Sequence, residues 1–140
     1  MSHFLEFWRQ YLSEDDYLYL VNFVENIKHD IVNDQMILLF GKGANGKTTL
    51  ISDIEYYVGK YKCSPIYNMW STVYENEYVQ LFNIEDFDIN NDYDDKLENI
   101  IHSGKSIIST TVQDPHLALL DNANLAAHVR IIDMKYTFPH

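Results

Sequence analysis

The fold is decided by the stretch MILLFGKGANGKT, which runs from Met36 to Thr48. Its first five residues are apolar, and such a run predicts a buried β-strand over residues 35–40. Three glycines follow within six residues and predict a tight loop. Apolar residues then recur at helical spacing until Gly59, a typical helix terminator. The stretch therefore predicts a strand, a loop and a helix over residues 47–58.

The loop fits the pattern G-x-x-x-x-G-K-S/T, which is typical of phosphate binding. Glycines let the backbone approach a polyanion closely, and the N–H groups at a helix start carry partial positive charge. Lys47 is predicted to reach the β- and γ-phosphates of ATP, and the Thr48 hydroxyl is predicted to ligate Mg²⁺. A glycine-rich turn that matches by chance is the alternative, which the order of strand, loop and helix disfavours. The predicted nucleotide contacts are Gly41, Lys42, Gly43, Ala44, Asn45, Gly46, Lys47, Thr48 and Thr49.

The composition indicates one compact α/β domain of 140 residues with a substantial core, because 46% of the residues are hydrophobic. Ten Lys and Arg against 21 Asp and Glu give a net charge of −11, which disfavours nonspecific binding of nucleic acid by a monomer. The single Cys63 excludes an internal disulfide and suits a reducing compartment. No signal peptide or membrane span is evident in the sequence. We expect a soluble, intracellular protein without a membrane partner.

Two regions are predicted along the chain. Residues 1–33 form an N-terminal helical segment whose second helix covers residues 14–31, with Ser13 as its N-cap. Residues 34–140 form the phosphate-loop domain, in which strands and helices alternate and so predict a mainly parallel sheet flanked by helices. The strands are predicted at 35–40, 66–70, 78–84, 106–111 and 129–134, and the helices at 47–58, 93–102 and 116–127.

Two acidic residues end the apolar run LFNI and are the candidates for metal and water chemistry. Hydrolysis of a bound nucleotide needs a metal ligand and a group that orients water. We assign Glu85 to Mg²⁺ and Asp86 to activation of the attacking water, and the two roles are interchangeable at this stage. We expect their strand to lie next to the loop strand. An acidic loop that merely follows a strand is the alternative.

Two further residues are candidates for contact with the transferred phosphate. The strand that ends in Ser109-Thr110-Thr111 should point its tip at the nucleotide, and Thr111 is the first choice for sensing the γ-phosphate, ahead of Thr110 and Gln113. Arg130 opens the last strand, where it could stabilise charge on a nucleotide bound by a neighbouring subunit. The alternatives are β-propensity for the threonines and a purely electrostatic role for Arg130 on an acidic surface.

Four motifs together resemble the ATPase core of superfamily-3 helicases, the replication proteins of DNA viruses and plasmids. They are GKGANGKTT, FNIEDFD, IISTTVQDP and HVRIID, and they span roughly residues 35–135. The form of the loop is most similar to that of the viral primase-helicases. The resemblance implies an AAA+-like sheet, a hexameric ring, ATP-driven unwinding in DNA replication and, for a viral protein, a host cytoplasmic or nuclear location. It carries roles onto Lys47, Thr48, Glu85, Asp86 and Arg130.

The chain departs from that family at two places. The position of the family's asparagine sensor is Val112, and the span from Leu97 to Lys105 leaves no room for the basic DNA-binding hairpin. His102 and Lys105 are the only candidate contacts there for single-stranded DNA or RNA. The sequence therefore supports an ATPase more strongly than a helicase.

Two other classes of protein remain open. The loop also resembles the deviant loop of partition ATPases, in which Lys42 would reach across a nucleotide-sandwich dimer and make the protein a dimerising switch. A non-catalytic nucleotide-binding assembly protein is the third possibility. A dimer or a hexamer with ATP distinguishes the first two, and turnover distinguishes both from the third.

Overall fold

A computed structural model describes residues 3–41, 46–65, 79–87, 104–111, 114–116, 120 and 123–134. Its helices are α1 (His3–Glu6), α2 (Glu14–Lys28), α3 (Lys47–Val58) and α4 (Ala123–His128), with short 3-10 turns at Phe7–Gln10 and Lys60–Lys62. Its strands are β1 (Met36–Phe40), β2 (Cys63–Pro65), β3 (Leu81–Ile84), β4 (Ser106–Thr111) and β5 (Val129–Asp133). Among these described residues, none of the helices has the length and apolar character needed to cross a lipid bilayer.

The five strands form one parallel sheet in the order β2-β3-β4-β1-β5. This confirms the predicted α/β architecture. The expectation that the acidic strand lies next to the loop strand is wrong, because β4 separates β3 from β1. The neighbours of β1 are β4 and β5, and both follow it by more than sixty residues in the chain. The local sequence of a strand does not indicate which strand it will pair with at such a separation.

One face of the sheet carries α2 and α3. Side chains alternate along each strand, and partners in a parallel register share a face. On this face, the buried side chains of β1, β3, β4 and β5 form a single hydrophobic cluster with those of α2 and α3; the strand members are Ile37, Leu39, Leu81, Ile108 and Ile132. We call this the α3 face. Leu38, Phe82 and Ile107 alternate with these residues and lie on the opposite face.

The N-terminal segment packs into that same cluster. Leu5, Trp8 and Leu12 are buried against residues of α2 and α3, and the Trp8 indole donates a 2.9 Å hydrogen bond to the Asp53 carboxylate on α3. Burial of apolar area at this contact is a favourable term in folding. The predicted boundary at residue 33 therefore does not separate two hydrophobic cores.

Helix α2 starts and stops for local reasons. The Ser13 hydroxyl accepts a 3.2 Å hydrogen bond from the Asp16 amide, as predicted for an N-cap. The helix ends at Lys28, three residues before the predicted end, because Asp30 adopts a left-handed backbone with φ of 58°. The Ile31 amide then bonds back to the Asn26 carbonyl. Ile31, the last residue of the predicted helix, is exposed.

Among the other predicted elements, some have the predicted bounds in the structure and others do not. Helix α3 has the predicted bounds, whereas β3 begins at Leu81 rather than at residue 78. The second strand is found at Cys63–Pro65, on the edge of the sheet, where a proline is tolerated because its missing N–H faces no partner strand. The strand predicted at 66–70 and the helix predicted at 93–102 lie outside the described residues.

Candidate functional site

The predicted site lies at the carboxyl edge of the sheet, between β1 and β4. In the strand order, β2 lies to one side of β1, and β5 lies to the opposite side of β4. Because connections between parallel strands are right-handed, the connection from β1 to β2 and the connection from β4 to β5 lie on opposite faces of the sheet. Such a switch point opens a crevice outside the strand ends, where α/β proteins bind ligands. The Gly41 amide bridges the crevice floor by donating a 3.3 Å hydrogen bond to the Thr111 carbonyl.

The two ends of the glycine loop are described, and its middle is not. Gly46 has a φ of 86°, which glycine adopts without strain, and it is the N-cap of α3. The helix follows at once, with the Leu50 amide donating to the Gly46 carbonyl at 2.8 Å. Thr48 and Thr49 are exposed in the first turn. The predicted contacts at Lys42, Gly43, Ala44 and Asn45 lie outside the described residues.

The Lys47 side chain reaches from the start of α3 back to Gly41, which follows β1. Its Nζ donates a 2.6 Å hydrogen bond to the Gly41 carbonyl. Partial burial lowers the pKa of Lys47, and the negative charge of Asp86 opposes that shift by favouring the ammonium form. The lysine and the carboxylate assigned from the sequence are thus close enough to influence each other, although their strand and helix are not neighbours in the chain.

The acidic turn after β3 is attached to the end of β4. The Asp86 amide donates a 3.1 Å hydrogen bond to the Thr110 hydroxyl, and the Phe87 amide donates a 2.7 Å bond to the Thr110 carbonyl. Asp86 has a φ of 54°, in the left-handed region that non-glycine residues rarely adopt. Phe87 is buried, whereas the Glu85 and Asp86 side chains are exposed.

The charge of Glu85 is felt on α3 at Glu55, seven residues after Thr48, the predicted magnesium ligand. Burial raises the pKa of the Glu55 carboxyl on α3, Lys60 opposes the shift, and the charge of Glu85 adds to it. Among the described residues, no group of three His, Cys, Asp or Glu side chains has metal-binding geometry. Mg²⁺ in nucleotide sites takes most of its ligands from phosphates and water, with one or two from the protein. The exposed Thr48 hydroxyl and the Glu85 carboxylate are of the type required.

The two threonines at the end of β4 point to different faces. Thr110 is in register with Leu39 and therefore lies on the α3 face, where Lys47 begins its helix. Thr111 is in register with Phe40 and lies on the opposite face. Both are buried. This placement favours Thr110 over Thr111 as the threonine nearer the loop lysine, and Val112 and Gln113 lie outside the described residues.

Arg130 bonds to a residue of its own chain and lies near the amino edge of the sheet, opposite the carboxyl edge where the predicted site lies. It is in register with Ile37, three positions before Phe40 and so about 10 Å from the carboxyl edge. Its Nη2 donates a 3.0 Å hydrogen bond to the Asp16 carboxylate, and its guanidinium lies 4.9 Å from the centre of the Tyr19 ring. These contacts match the electrostatic alternative, and a role at a neighbouring subunit's nucleotide stays a prediction.

A histidine and a carboxylate that we did not predict flank the crevice on its β5 side. His116 Nε2 lies 3.3 Å from the Asp133 carboxylate, and the His116 ring meets the Phe40 ring edge-on. Asp133 ends β5 in register with Phe40. The signal that identified Glu85, an acidic residue at the end of a buried strand, was also present at Asp133. Of the two candidate nucleic-acid contacts, Lys105 donates to the Val79 carbonyl at 2.7 Å, and His102 lies outside the described residues.

A polar cavity of about 310 Å³ lies at the amino edge of the sheet, away from the loop. Amide side chains dominate its lining, and they bond to their surroundings: Asn26 to Asn33, Asn33 to Ser106, and Gln35 to the Ala127 carbonyl. The Tyr19 hydroxyl donates to Gln35. None of the residues assigned to nucleotide chemistry lines this cavity.

No protein-family model matches the chain, and no curated protein matches it significantly.

Proposed function

We propose that the protein is a Mg²⁺-dependent ATPase whose nucleotide lies in the crevice between β1 and β4. One observation carries this proposal. The Lys47 ammonium bonds to Gly41 across the loop, and the Asp86 charge lies within electrostatic reach of that ammonium. A cation at a glycine-flanked helix start is suited to binding phosphate, and a carboxylate near it is of the type that acts on water in phosphate hydrolysis.

Each residue has a role that follows from its chemistry. Lys47 leaves the Gly41 carbonyl and neutralises charge on the β- and γ-phosphates. Asp86 accepts a proton from, or orients, the attacking water. Thr48 and Glu85 are the residues that would hold Mg²⁺, directly or through water, and the metal would supply positive charge for the phosphate oxygens. The other seven residues between Gly41 and Thr49 are proposed to supply the remaining phosphate contacts.

The superfamily-3 resemblance extends this proposal to a ring-forming ATPase of viral or plasmid replication. Its support is the order of the four motifs together with the parallel sheet that joins them. A partner nucleic acid, single-stranded DNA or RNA, would meet a chain of net charge −11, so a ring of subunits would have to concentrate the basic groups.

The test of ATP binding and hydrolysis uses purified protein with and without Mg²⁺. We expect saturable ATP binding by calorimetry and phosphate release that requires the metal. Lys60→Ala is the matched control for Lys47→Ala, because Lys60 is an exposed lysine just beyond the other end of α3. Binding that Lys47→Ala leaves unchanged would refute the proposal.

The assembly is tested by measuring the mass in solution by light scattering, with ATP, without it, and with single-stranded DNA. A hexamer with ATP supports the ring, and a DNA-dependent rise in turnover supports action on nucleic acid. An ATP-dependent dimer would instead identify the partition-type switch. Binding without turnover in any assembled state would identify a non-catalytic assembly protein.

A further inference from the structure

We propose that Thr110 is a positioning residue that fixes the Asp86 carboxylate opposite Lys47 by holding the turn after β3. The inference rests on the proposed ATPase function and concerns the same crevice. It differs from a role in sensing the γ-phosphate, because Thr110 acts on the backbone of the acidic turn rather than on the nucleotide.

Thr110 holds the turn through two groups at once. Its hydroxyl accepts the Asp86 amide at 3.1 Å, and its carbonyl accepts the Phe87 amide at 2.7 Å. Thr110 is only 5% exposed, so water cannot readily replace the hydroxyl as the acceptor. Two consecutive amides of the turn thus bond to one residue of the strand that separates β3 from the loop strand.

The hydroxyl bond favours the left-handed backbone of Asp86. A φ of 54° costs free energy for most residues with a Cβ and less for Asp and Asn, so contacts such as this bond decide whether Asp86 adopts it. The buried Phe87 side chain and its amide fix the far end of the turn. With the Thr110 hydroxyl removed, the Asp86 amide loses its acceptor, and the residue is free to return to the right-handed region. That rotation would redirect the carboxylate.

Redirecting the carboxylate should affect turnover more than binding. Lys47 and the loop residues contact the nucleotide without help from Asp86, so ATP affinity depends little on the turn. Orientation of the water does depend on it, and misplacement of a reacting group by about 1 Å lowers rates by about 100-fold. We therefore expect kcat for Thr110→Val to fall about 10- to 100-fold, with ATP affinity within about twofold of the wild type.

The matched variants are Thr110→Val, Thr110→Ser and Ser109→Ala. Valine keeps the shape and loses the hydroxyl, whereas serine keeps the acceptor and should restore kcat. Ser109→Ala removes the neighbouring buried hydroxyl of β4. The Ser109 side chain lies on the face of the sheet opposite Thr110, and its hydroxyl donates to the Ile37 carbonyl. This variant should leave kcat at the wild-type value if the turn, rather than strand stability, is responsible.

The decisive readout is amide hydrogen exchange at Asp86 and Phe87, resolved by NMR in the folded protein. In Thr110→Val we expect faster exchange at Asp86 while the amides of β1 keep their protection. Unchanged exchange at Asp86, or wild-type kcat despite faster exchange, would overturn the inference. Loss of kcat in Ser109→Ala equal to that in Thr110→Val would also overturn it. A wild-type protein without ATP turnover would overturn the proposed function instead.

Discussion

The Lys47 ammonium donates a 2.6 Å hydrogen bond to the carbonyl oxygen of Gly41, six residues earlier in the chain. The lysine thus spans the loop, and a bound phosphate would replace the Gly41 carbonyl as its acceptor. Partial burial lowers the pKa of Lys47, and bound phosphate would reverse that shift by supplying negative charge.

Lys47→Ala should remove ATP binding and leave the fold intact. Each charge-assisted hydrogen bond contributes about 1.5–3 kcal/mol, so losing one to each of the β- and γ-phosphates should lower the affinity at least about 100-fold. The free energy of unfolding should change by less than about 1 kcal/mol, because the side chain contacts the loop and not the hydrophobic cluster. Calorimetry gives the affinity and urea denaturation gives the stability. Unaltered affinity would mean that the lysine does not contact the ligand.

Asp86→Asn should keep ATP binding and lose turnover. Asparagine tolerates the left-handed backbone of this position better than most residues, so the substitution removes the charge while keeping the turn. Loss of a general base lowers rates by about 100- to 10,000-fold, and we expect kcat to fall within that range while the affinity for ATP stays within a few-fold. Phosphate release and equilibrium binding check the two quantities.

Glu85→Gln is the companion to that variant. It should shift the Mg²⁺ concentration needed for activity upward, whereas Asp86→Asn should not. The reverse pattern would exchange the roles of the two acids. Equal loss of binding and turnover in Asp86→Asn would indicate that Asp86 serves the fold rather than the reaction.

The local part of the site could be predicted from the sequence. Apolar runs and glycines define β1 and α3, because both signals act over a few residues, and Lys47–Val58 matches the predicted helix. The Ser13 cap was predictable for the same reason. The acidic residues after β3 were identified by their position at a strand end, although the order of strands between them and the loop was not.

The long-range part of the site could not be predicted. The bond from Asp86 to Thr110 joins residues 24 positions apart, and it depends on β4 lying beside β3. Whether Thr110 or Thr111 faces the loop depends on register, since a shift of one residue exchanges the two faces. Strand β2 was not predicted, because Cys63–Pro65 is too short for a periodic pattern.

Tyr57 should make stability depend on alkaline pH. A hydrogen bond to the Glu25 carboxylate, together with burial and the charge of Glu25, raises the pKa of Tyr57 from 10.0 to about 12. A group whose pKa is raised by folding stabilises the protein fully below its unfolded pKa. This contribution is therefore present below pH 10 and is lost as the pH rises from 10.0 to about 12.

The measurement compares urea denaturation of the wild type and Tyr57→Phe across that pH range. The difference in unfolding free energy should be constant near neutrality and shrink above pH 10. Glu25→Ala removes the acceptor and with it most of the pKa shift of Tyr57, so the loss of unfolding free energy between pH 10 and about 12 should be smaller than in the wild type. A difference that stays constant up to pH 12 would contradict the prediction.

Variants of Arg130 and Asp16 distinguish a structural role of Arg130 from a role at the interface between subunits. Its pairing with Asp16 joins β5 to the first turn of α2, and its stacking on Tyr19 adds a second contact on the same helix. Arg130→Ala should lower the free energy of unfolding by about 1 kcal/mol, since a partly exposed ion pair and a cation–π contact are each worth about that or less. A double-mutant cycle with Asp16→Ala should give a nonzero coupling energy.

The same variants decide whether Arg130 also acts on a neighbour's nucleotide. If it does, Arg130→Ala lowers turnover in the assembled protein, whereas Asp16→Ala, which breaks the same ion pair and leaves the guanidinium in place, does not. Mixing Arg130→Ala with Lys47→Ala subunits would then restore part of the activity, because each mixed interface can combine an intact loop with an intact arginine. Equal effects of Arg130→Ala and Asp16→Ala on turnover, or a defect that persists in isolated subunits, would leave Arg130 with the structural role alone.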